Sequence, residues 1–285
     1  MTDKLRAEAK RVLREGIAEM VIGWAEGSAE FKTTPFFAFT EEDCDRLVWN
    51  TACVNNLAKY LTDYPKEKKI ALCVKPCDSA SVNVLIAENK VLRENVYVIA
   101  LACGGVIDPI KAADAGTCEL SDATAKYACL HCVHDKPEVA DIVLGEAERK
   151  LTPAGEDMPP FEERRKYWEK EFDKCVRCYA CRQVCPNCYC EQCFADRTDP
   201  KWTSRKPTAG ESWMFHAVRV MHMAGRCVGC GECERVCPKS IPVEKLSREM
   251  AKYVKDIYDY TAGMGEKPLL GTYKDEDYDA GVHEE

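Results

Sequence analysis

The sequence predicts an α/β domain at the N-terminus and a C-terminal α-helical domain that contains a cysteine-rich insert. Three observations support this fold class. Strand-like and helix-like patterns alternate along residues 1–151, a Pro- and Gly-rich linker covers 152–160, and residues 161–265 contain one cysteine spacing twice. Residues 266–285 form an acidic tail. Because alternating strands and helices favour parallel strand pairing, we expect a layered sheet in the first domain.

The elements of the first domain follow from its hydrophobic patterns. Helical periodicity covers residues 3–15 and 41–61, with Thr40 as the expected N-cap of the second helix. A third helix begins at Asp78 or Ser79 and ends near Asn89. Short apolar runs predict four strands, which cover residues 19–24, 35–39, 69–74 and 95–101.

Three helices are expected in the second domain, at about 161–174, 211–223 and 243–260. The middle helix is amphipathic, and its apolar residues are expected to pack against the cysteine-rich loops. These residues are Trp213, Met214, Phe215, Val218 and Met221. His216 and His222 lie six positions apart on this helix and do not share a face, so we do not expect them to form a paired metal site.

A cysteine run of the bacterial ferredoxin type occurs twice in the second domain. Each copy reads Cys-x2-Cys-x2-Cys-x3-Cys-Pro, and the copies begin at Cys175 and Cys227. In this motif the first three thiolates bind one [4Fe-4S] cluster and the fourth binds the other cluster. The predicted ligands are Cys175, Cys178, Cys181 and Cys237 for cluster 1, and Cys227, Cys230, Cys233 and Cys185 for cluster 2. The insert is therefore predicted to be two-cluster and ferredoxin-like, with one-electron transfer as its chemistry.

Four more cysteines in the N-terminal domain are candidates for a third [4Fe-4S] site, cluster 3. Cys77 and Cys103 each follow a predicted strand, and Cys129 and Cys132 form a CxxC pair. Sites in α/β sheets occur at the carboxyl ends of strands, and Gly104-Gly105 would permit close approach of the backbone. A four-cysteine zinc site and buried free thiols are the alternatives.

A third group of thiols follows the first ferredoxin run and comprises Cys188, Cys190 and Cys193. This group could hold an additional iron–sulfur cluster or a zinc ion, could replace a member of the first run, or could remain as free thiols. A fourth ligand would have to come from elsewhere, and the candidates are Cys44, Cys53, Cys73 and Cys118. The first three of these lie in apolar patterns and are expected to be buried as small hydrophobic residues.

Composition and charge exclude several classes of protein. The net charge of −8 and the pI near 5.4 argue against a nucleic-acid partner, which requires a basic face. The charged N-terminus lacks the apolar segment of a signal peptide, and no run is long enough for a membrane span. The 19 cysteines have metal-binding spacings rather than a disulfide pattern. We therefore expect a cytoplasmic protein, in the reducing cytoplasm of an anaerobe.

The N-terminal motifs resemble those of a known family. Lys75-Pro-Cys-Asp-Ser-Ala-Ser, Ile99-Ala-Leu-Ala-Cys-Gly-Gly, and the CxxC pair with Ala140-Asp-Ile-Val-Leu-Gly are similar to the beta subunits of coenzyme F-420 (deazaflavin) hydrogenases and dehydrogenases. This family includes the beta subunits of formate dehydrogenases and of heterodisulfide-reductase-linked complexes. The resemblance covers roughly residues 18–150. It implies an α/β domain that binds one [4Fe-4S] cluster through Cys77, Cys103, Cys129 and Cys132, and often FAD.

The chain also departs from this family. Only roughly 40 residues separate Cys103 from Gly145, a segment that is longer in the deazaflavin enzymes, and the sequence contains neither GxGxxG nor a P-loop. If FAD binds, Asn55, Asn56, Lys75 and Ser79 are candidates for the rim of its site. The alternative is that these four are ordinary polar residues at the ends of elements.

The expected function is electron transfer through several [4Fe-4S] clusters, as a subunit of a soluble anaerobic oxidoreductase complex. Its partner would be a heterodisulfide-reductase-like protein, a hydrogenase or a formate dehydrogenase. The alternative is an FAD-carrying subunit that itself exchanges hydride with a deazaflavin, NAD(P)H or a similar carrier. A structural adaptor stabilised by its clusters is a third possibility. No catalytic residue is evident in the sequence.

Overall fold

A five-stranded sheet forms the centre of the N-terminal domain. The computed structural model describes residues 1–155, 158–204 and 206–272. The strand order is β2-β1-β3-β4-β5; β1 and β2 are antiparallel, and the other neighbours are parallel. The strands are β1 (Met20–Glu26), β2 (Thr33–Ala38), β3 (Ile70–Val74), β4 (Val96–Leu101) and β5 (Ile142–Leu144). The predicted α/β sheet with parallel pairing is therefore confirmed.

Nine α-helices and four short 3-10 segments surround or follow this sheet in the described part of the chain. The helices are α1 (Thr2–Arg14), α2 (Pro76–Ala87), α3 (Pro109–Ala115), α4 (Tyr127–Leu130), α5 (Phe161–Asp173), α6 (Ala180–Gln183), α7 (Ala209–His222), α8 (Glu232–Arg235) and α9 (Val243–Tyr258). The 3-10 segments cover Asp43–Arg46, Leu57–Asp63, Arg93–Asn95 and Leu269–Thr272. None of the helices in these ranges has the length and apolar content needed to span a bilayer.

The core of the N-terminal domain explains why β3 reads as a continuous apolar run. All five residues of β3 are buried, as expected for a central parallel strand that is covered on both faces. Cys44, Cys53 and Cys73 are fully buried in the same core. The expectation that these three thiols are buried as small hydrophobic residues is therefore confirmed.

The predicted helix over residues 41–61 is wrong. The Asp43 carboxylate accepts hydrogen bonds from the backbone N–H groups of Phe39 and Thr40, so the predicted start forms, but only as a 3-10 turn. The chain then follows β1, because Leu47 forms a bridge with Ala25 and the Val48 N–H donates to the Trp24 carbonyl. Hydrophobic periodicity indicated burial correctly here, but the buried residues lie in irregular backbone.

Three long helices organise the second domain. Helix α7 contacts both α5 and α9, and the two short helices α6 and α8 contact each other. Thr208 caps α7 by accepting a hydrogen bond from the Glu211 N–H. Phe215 is buried as expected, but Trp213 and Met221 are exposed, so only part of the predicted apolar side packs inward. The described linker residues have no regular secondary structure, and residues 273–285 of the acidic tail lie outside the described ranges.

Candidate metal centres

The four N-terminal cysteines surround one cavity at the carboxyl end of the sheet. Cys77 is the second residue of α2, Cys103 follows β4, and Cys129 and Cys132 lie in and after α4. All four line a cavity of about 270 Å³. This space has room for a cube of iron and sulfide ions.

Cationic side chains lie in the wall of this cavity. Lys75 and Lys126 are buried there in ion pairs with Asp78 and Glu232, and the Arg149 guanidinium donates to the backbone carbonyls of Cys129 and Cys132. Burial raises the pKa of the Cys103 thiol to about 12, and iron bound beside it would stabilise the thiolate form. The chemistry of the donor set therefore fits a cluster with four thiolate ligands.

The cysteines of cluster 1 come together as the interlocked motif requires. Cys175, Cys178, Cys181 and Cys237 line one cavity, although Cys237 belongs to the second run. Two of these thiols accept hydrogen bonds from the backbone. The Arg177 backbone N–H donates to Cys175 Sγ and the Ile241 backbone N–H donates to Cys237 Sγ, both at 3.4 Å. Such bonds stabilise a thiolate and tune its cluster.

His216 also belongs to this site, although the sequence did not assign it there. A ring nitrogen of His216 lies 3.4 Å from Cys175 Sγ, and its ring stacks on Phe172 with centroids 4.5 Å apart. Burial lowers the pKa of His216 to about 4, so the ring is neutral at pH 7 and can donate one N–H to sulfur. His216 and His222 lie at different cysteine groups, in agreement with the rejection of a paired site.

The cysteines of cluster 2 also influence one another. Burial raises the pKa of both Cys227 and Cys230 to about 12, and the charge of Cys185 acts in the same direction on each. Burial also raises the pKa of Cys233 well above its usual value, and the charges of Cys227, Cys185 and Cys230 raise it further. The fourth cysteine of the first run therefore lies within electrostatic range of the first three cysteines of the second run.

Arg219 is a buried cation among these groups that the sequence reasoning missed. Its Nη2 donates to the Cys181 carbonyl at 3.1 Å, whereas Nε and Nη1 have no hydrogen-bond partner within the described residues. Burial alone would lower the pKa of Arg219, but the surrounding cysteines raise it; these are Cys185, Cys233, Cys181 and Cys188. A buried guanidinium with unpaired donors costs free energy unless anions lie nearby. Anionic iron–sulfur clusters would supply that charge.

Two contacts join the ferredoxin-like segment to the N-terminal site. Lys126 Nζ lies 2.7 Å from the Glu232 carboxylate in a buried ion pair, and a ring nitrogen of His134 lies 2.9 Å from the Val228 carbonyl. Gly231 permits this close approach, since a Cβ at that position would lie 2.5 Å from the Ala128 Cβ. As a result, Cys230 of cluster 2 lines the same cavity as the four cysteines of cluster 3.

Cys188, Cys190 and Cys193 line a separate cavity of about 470 Å³, together with His222. None of the four thiols suggested as a fourth ligand lies there. Three of those thiols are in the core of the sheet, and Cys118 lies in an exposed loop whose carbonyl accepts from the Thr51 hydroxyl. Those suggestions for the fourth ligand are therefore wrong, because the fold places them in the N-terminal domain. Within the described ranges, no three His, Cys, Asp or Glu side chains are placed to hold a single metal ion.

The residues suggested for a flavin rim do not form an open surface. Asn56 donates to the Ser81 hydroxyl, Ser79 donates to the Val139 carbonyl, and Lys75 pairs with Asp78 at 2.8 Å, all in buried positions. Asn55 contributes its backbone carbonyl to Lys75 and Trp24. These side chains stabilise the start of α2 and its surroundings, which agrees with their interpretation as polar residues at the ends of elements.

Comparisons with known proteins agree with this geometry. The family of the 4Fe-4S dicluster domain matches residues 171–241, which confirms the two-cluster ferredoxin-like domain. The beta subunit of F420-dependent formate dehydrogenase from Methanocaldococcus jannaschii is 23% identical over 346 aligned residues, covering 90% of each chain. The beta subunit of F420-dependent formate dehydrogenase 1 from Methanococcus maripaludis is 26% identical over 357 aligned residues, which cover 92% of this chain and 91% of the relative.

These beta subunits are homologues of the chain. The resemblance predicted from the N-terminal motifs is thereby confirmed, and it extends over the ferredoxin-like part as well. A chain of the F420-reducing [NiFe] hydrogenase complex from Methanosarcina barkeri also matches in structure, with a TM-score of 0.31 and 17% identity. That match covers 36% of this chain and 38% of the hydrogenase chain.

Proposed function

We propose that the chain is an iron–sulfur electron-transfer subunit in which three [4Fe-4S] clusters form one continuous path. Cys77, Cys103, Cys129 and Cys132 would hold cluster 3, and the two interlocked ferredoxin sets would hold clusters 2 and 1. When bound, such clusters supply one-electron transfer. The residues of the chain set the spacing of the sites, exclude water from them and surround them with positive charge.

The single observation that supports a path is the shared wall of the cluster 3 cavity. Cys230 lines the same cavity as the four N-terminal cysteines, so the sites of clusters 3 and 2 are neighbours. Clusters 2 and 1 are linked through the interlocked runs, and Arg219 lies beside Cys181 of one and Cys185 of the other. The order along the path is therefore cluster 3, cluster 2 and cluster 1.

We further propose that the chain works beside a catalytic subunit of the formate dehydrogenase type. Both curated relatives are named as beta subunits of F420-dependent formate dehydrogenases, and each alignment covers about nine-tenths of this chain. In such a complex, this chain would relay electrons between the catalytic subunit and F420.

The order of the clusters can be tested by electron paramagnetic resonance on anaerobically purified protein. Reduced clusters that are close together broaden each other's signals, so the cluster 3 signal is expected to sharpen in Cys227→Ser, which lacks a ligand of cluster 2. The same signal is expected to stay broad in Cys178→Ser, which lacks a ligand of cluster 1. Cys77→Ser should lose about four iron atoms and the cluster 3 signal itself. Unchanged iron in Cys77→Ser would refute the N-terminal cluster, and equal sharpening in the first two variants would refute the order.

A further inference from the structure

We infer that the chain holds a fourth iron–sulfur cluster, with Cys188, Cys190, Cys193 and His222 as its ligands. The inference goes beyond the three-cluster path, and it rests on the proposed function only in that the fourth cluster would exchange electrons with the path. It assigns a ligand set to thiols that neither ferredoxin run uses.

The four side chains meet at one cavity although they come from two elements. Cys188, Cys190 and Cys193 lie on the loop after the first ferredoxin run, whereas His222 is the last residue of α7. The Phe194 ring fixes this meeting, because it packs edge-on against the His222 ring with centroids 5.4 Å apart and directly follows Cys193. The imidazole therefore lies beside the thiol loop, and histidine is an established cluster ligand in place of cysteine.

The cavity has room for a cluster. The four side chains are among the residues that line a space of about 470 Å³, which can accommodate several iron and sulfide ions.

The charge around the cavity is compatible with an anionic occupant. Four arginines line it, and one of them is Arg219, which is 4% exposed and has unpaired donors at Nε and Nη1. The others are Arg182, Arg197 and Arg226. Arg182 and Arg226 pair with the carboxylates of Asp196 and Glu88, whereas Arg219 would keep two unpaired donors beside neutral thiols. Thiolates bound to iron and sulfide would place negative charge beside Arg219.

The location of this site indicates its use. Cys188 lies three residues after Cys185, a predicted ligand of cluster 2, so the fourth cluster would lie beside the middle of the path. Cys190 is exposed, and Trp202 in the cavity wall is 54% exposed. The fourth cluster would thus be a surface branch through which electrons can enter or leave.

The test is the difference in iron content between the wild-type chain and Cys188→Ser/Cys190→Ser/Cys193→Ser, both purified anaerobically. The triple variant is expected to lose about four iron atoms per chain while the signals of clusters 1 to 3 remain. Cys118→Ser, which removes an exposed thiol of the N-terminal domain, serves as the matched control and should lose none. Equal iron in wild type and triple variant, or one zinc per chain that disappears in the triple variant, would overturn the inference.

A second measurement applies even if the triple variant does not fold. In the wild-type protein, pulsed electron paramagnetic resonance should detect coupling of one reduced cluster to a histidine nitrogen. In His222→Cys, this coupling should disappear while the iron content stays the same. The coupling of a directly bound nitrogen is much stronger than that of a nitrogen hydrogen-bonded to a ligand sulfur, as His216 is at Cys175. Persistence of the strong coupling in His222→Cys, or its absence from the wild type, would exclude His222 as a ligand. Because Cys77→Ser probes cluster 3 separately, failure of this inference and failure of the three-cluster path give different results.

Discussion

At the scale of single residues, the cysteine spacing predicted the cluster ligands but not the side chains that surround them. The interlocked ligand sets of clusters 1 and 2 were predicted from two identical runs. In the structure the four cysteines of the first set line one cavity, and Cys185 lies within electrostatic range of the cysteines of the second run. Spacing could not reveal Arg219 or His216, since each reaches its cysteines through the packing of α7 rather than through neighbouring sequence. The only indication in the sequence was that polar residues occur among the apolar positions of the amphipathic helix α7.

Replacement of Arg219 by methionine is expected to lower the reduction potentials of the ferredoxin-type clusters. Reduction adds negative charge, and the buried guanidinium stabilises that charge at short range. A loss of about 1.4 kcal/mol of this stabilisation corresponds to about 60 mV for one electron. Redox titration followed by electron paramagnetic resonance measures the shift.

Arg165→Met is the matched control for this prediction, because Arg165 is exposed on α5 and pairs with Glu169. Its potentials should equal those of the wild type. If Arg219→Met also left every potential unchanged, the electrostatic role assigned to this arginine would be incorrect.

At the scale of elements, the accuracy of prediction depended on whether burial and regular backbone coincide. Strand β3 and helix α5 were predicted within one or two residues, because a single pattern defined each of them. Residues 41–61 failed because Leu47, Leu57 and Leu61 are buried by contacts with the sheet, not by one face of a helix. Sequence periodicity indicates which residues are buried, whereas hydrogen bonds to distant strands determine the conformation of the backbone.

The packing of the segment after α9 against α2 should depend on Gly263. This residue has a φ of +77°, and a Cβ there would lie 2.4 Å from the Ala80 carbonyl oxygen of α2. Asn83 of α2 donates to the carbonyls of Gly263 and Gly265, so the segment is fixed at two points. We expect Gly263→Ala to destabilise the protein by about 2 kcal/mol, measured as a lower midpoint of anaerobic thermal unfolding.

Gly210→Ala provides a control of opposite sign. Gly210 lies in the first turn of α7, and a Cβ added there would have no atom within 4 Å. Alanine should be neutral or stabilise the helix by up to about 1 kcal/mol. A midpoint for Gly263→Ala that matches or exceeds that of the wild type would show that the contact with α2 does not constrain the segment.

At the scale of the whole molecule, the proposed electron path depends on the contact between the sheet domain and the ferredoxin-like segment. The sequence indicated both cluster-binding regions but not their contact, because nothing in either motif specifies the other as a neighbour. In the structure, Lys126 and Glu232 form a buried pair across this contact, and Arg235 also binds the Glu232 carboxylate. A buried pair of this kind contributes to specificity of docking more than to net stability.

Lys126→Met should therefore weaken the docking of the two domains. It leaves the Glu232 carboxylate buried with one cationic partner instead of two, at a cost of about 3 kcal/mol. The expected result is a lower thermal midpoint and weaker magnetic interaction between clusters 3 and 2. Lys59→Met, which removes a more exposed pair with Asp63, should cost at most about 0.5 kcal/mol. Equal midpoints for the two variants would contradict the structural role of the buried pair.

The wall that Gly229 and Cys230 contribute to the N-terminal cavity has a consequence for maturation. An assembly factor that delivers a preformed cube needs access to all four thiols of cluster 3, and the docked ferredoxin segment closes one side of that access. Insertion into the N-terminal site should therefore precede the closing of the two domains on each other. If the second domain matured first, the chain would contain a complete ferredoxin unit beside an empty N-terminal site, so we expect the two halves to receive their clusters in a set order.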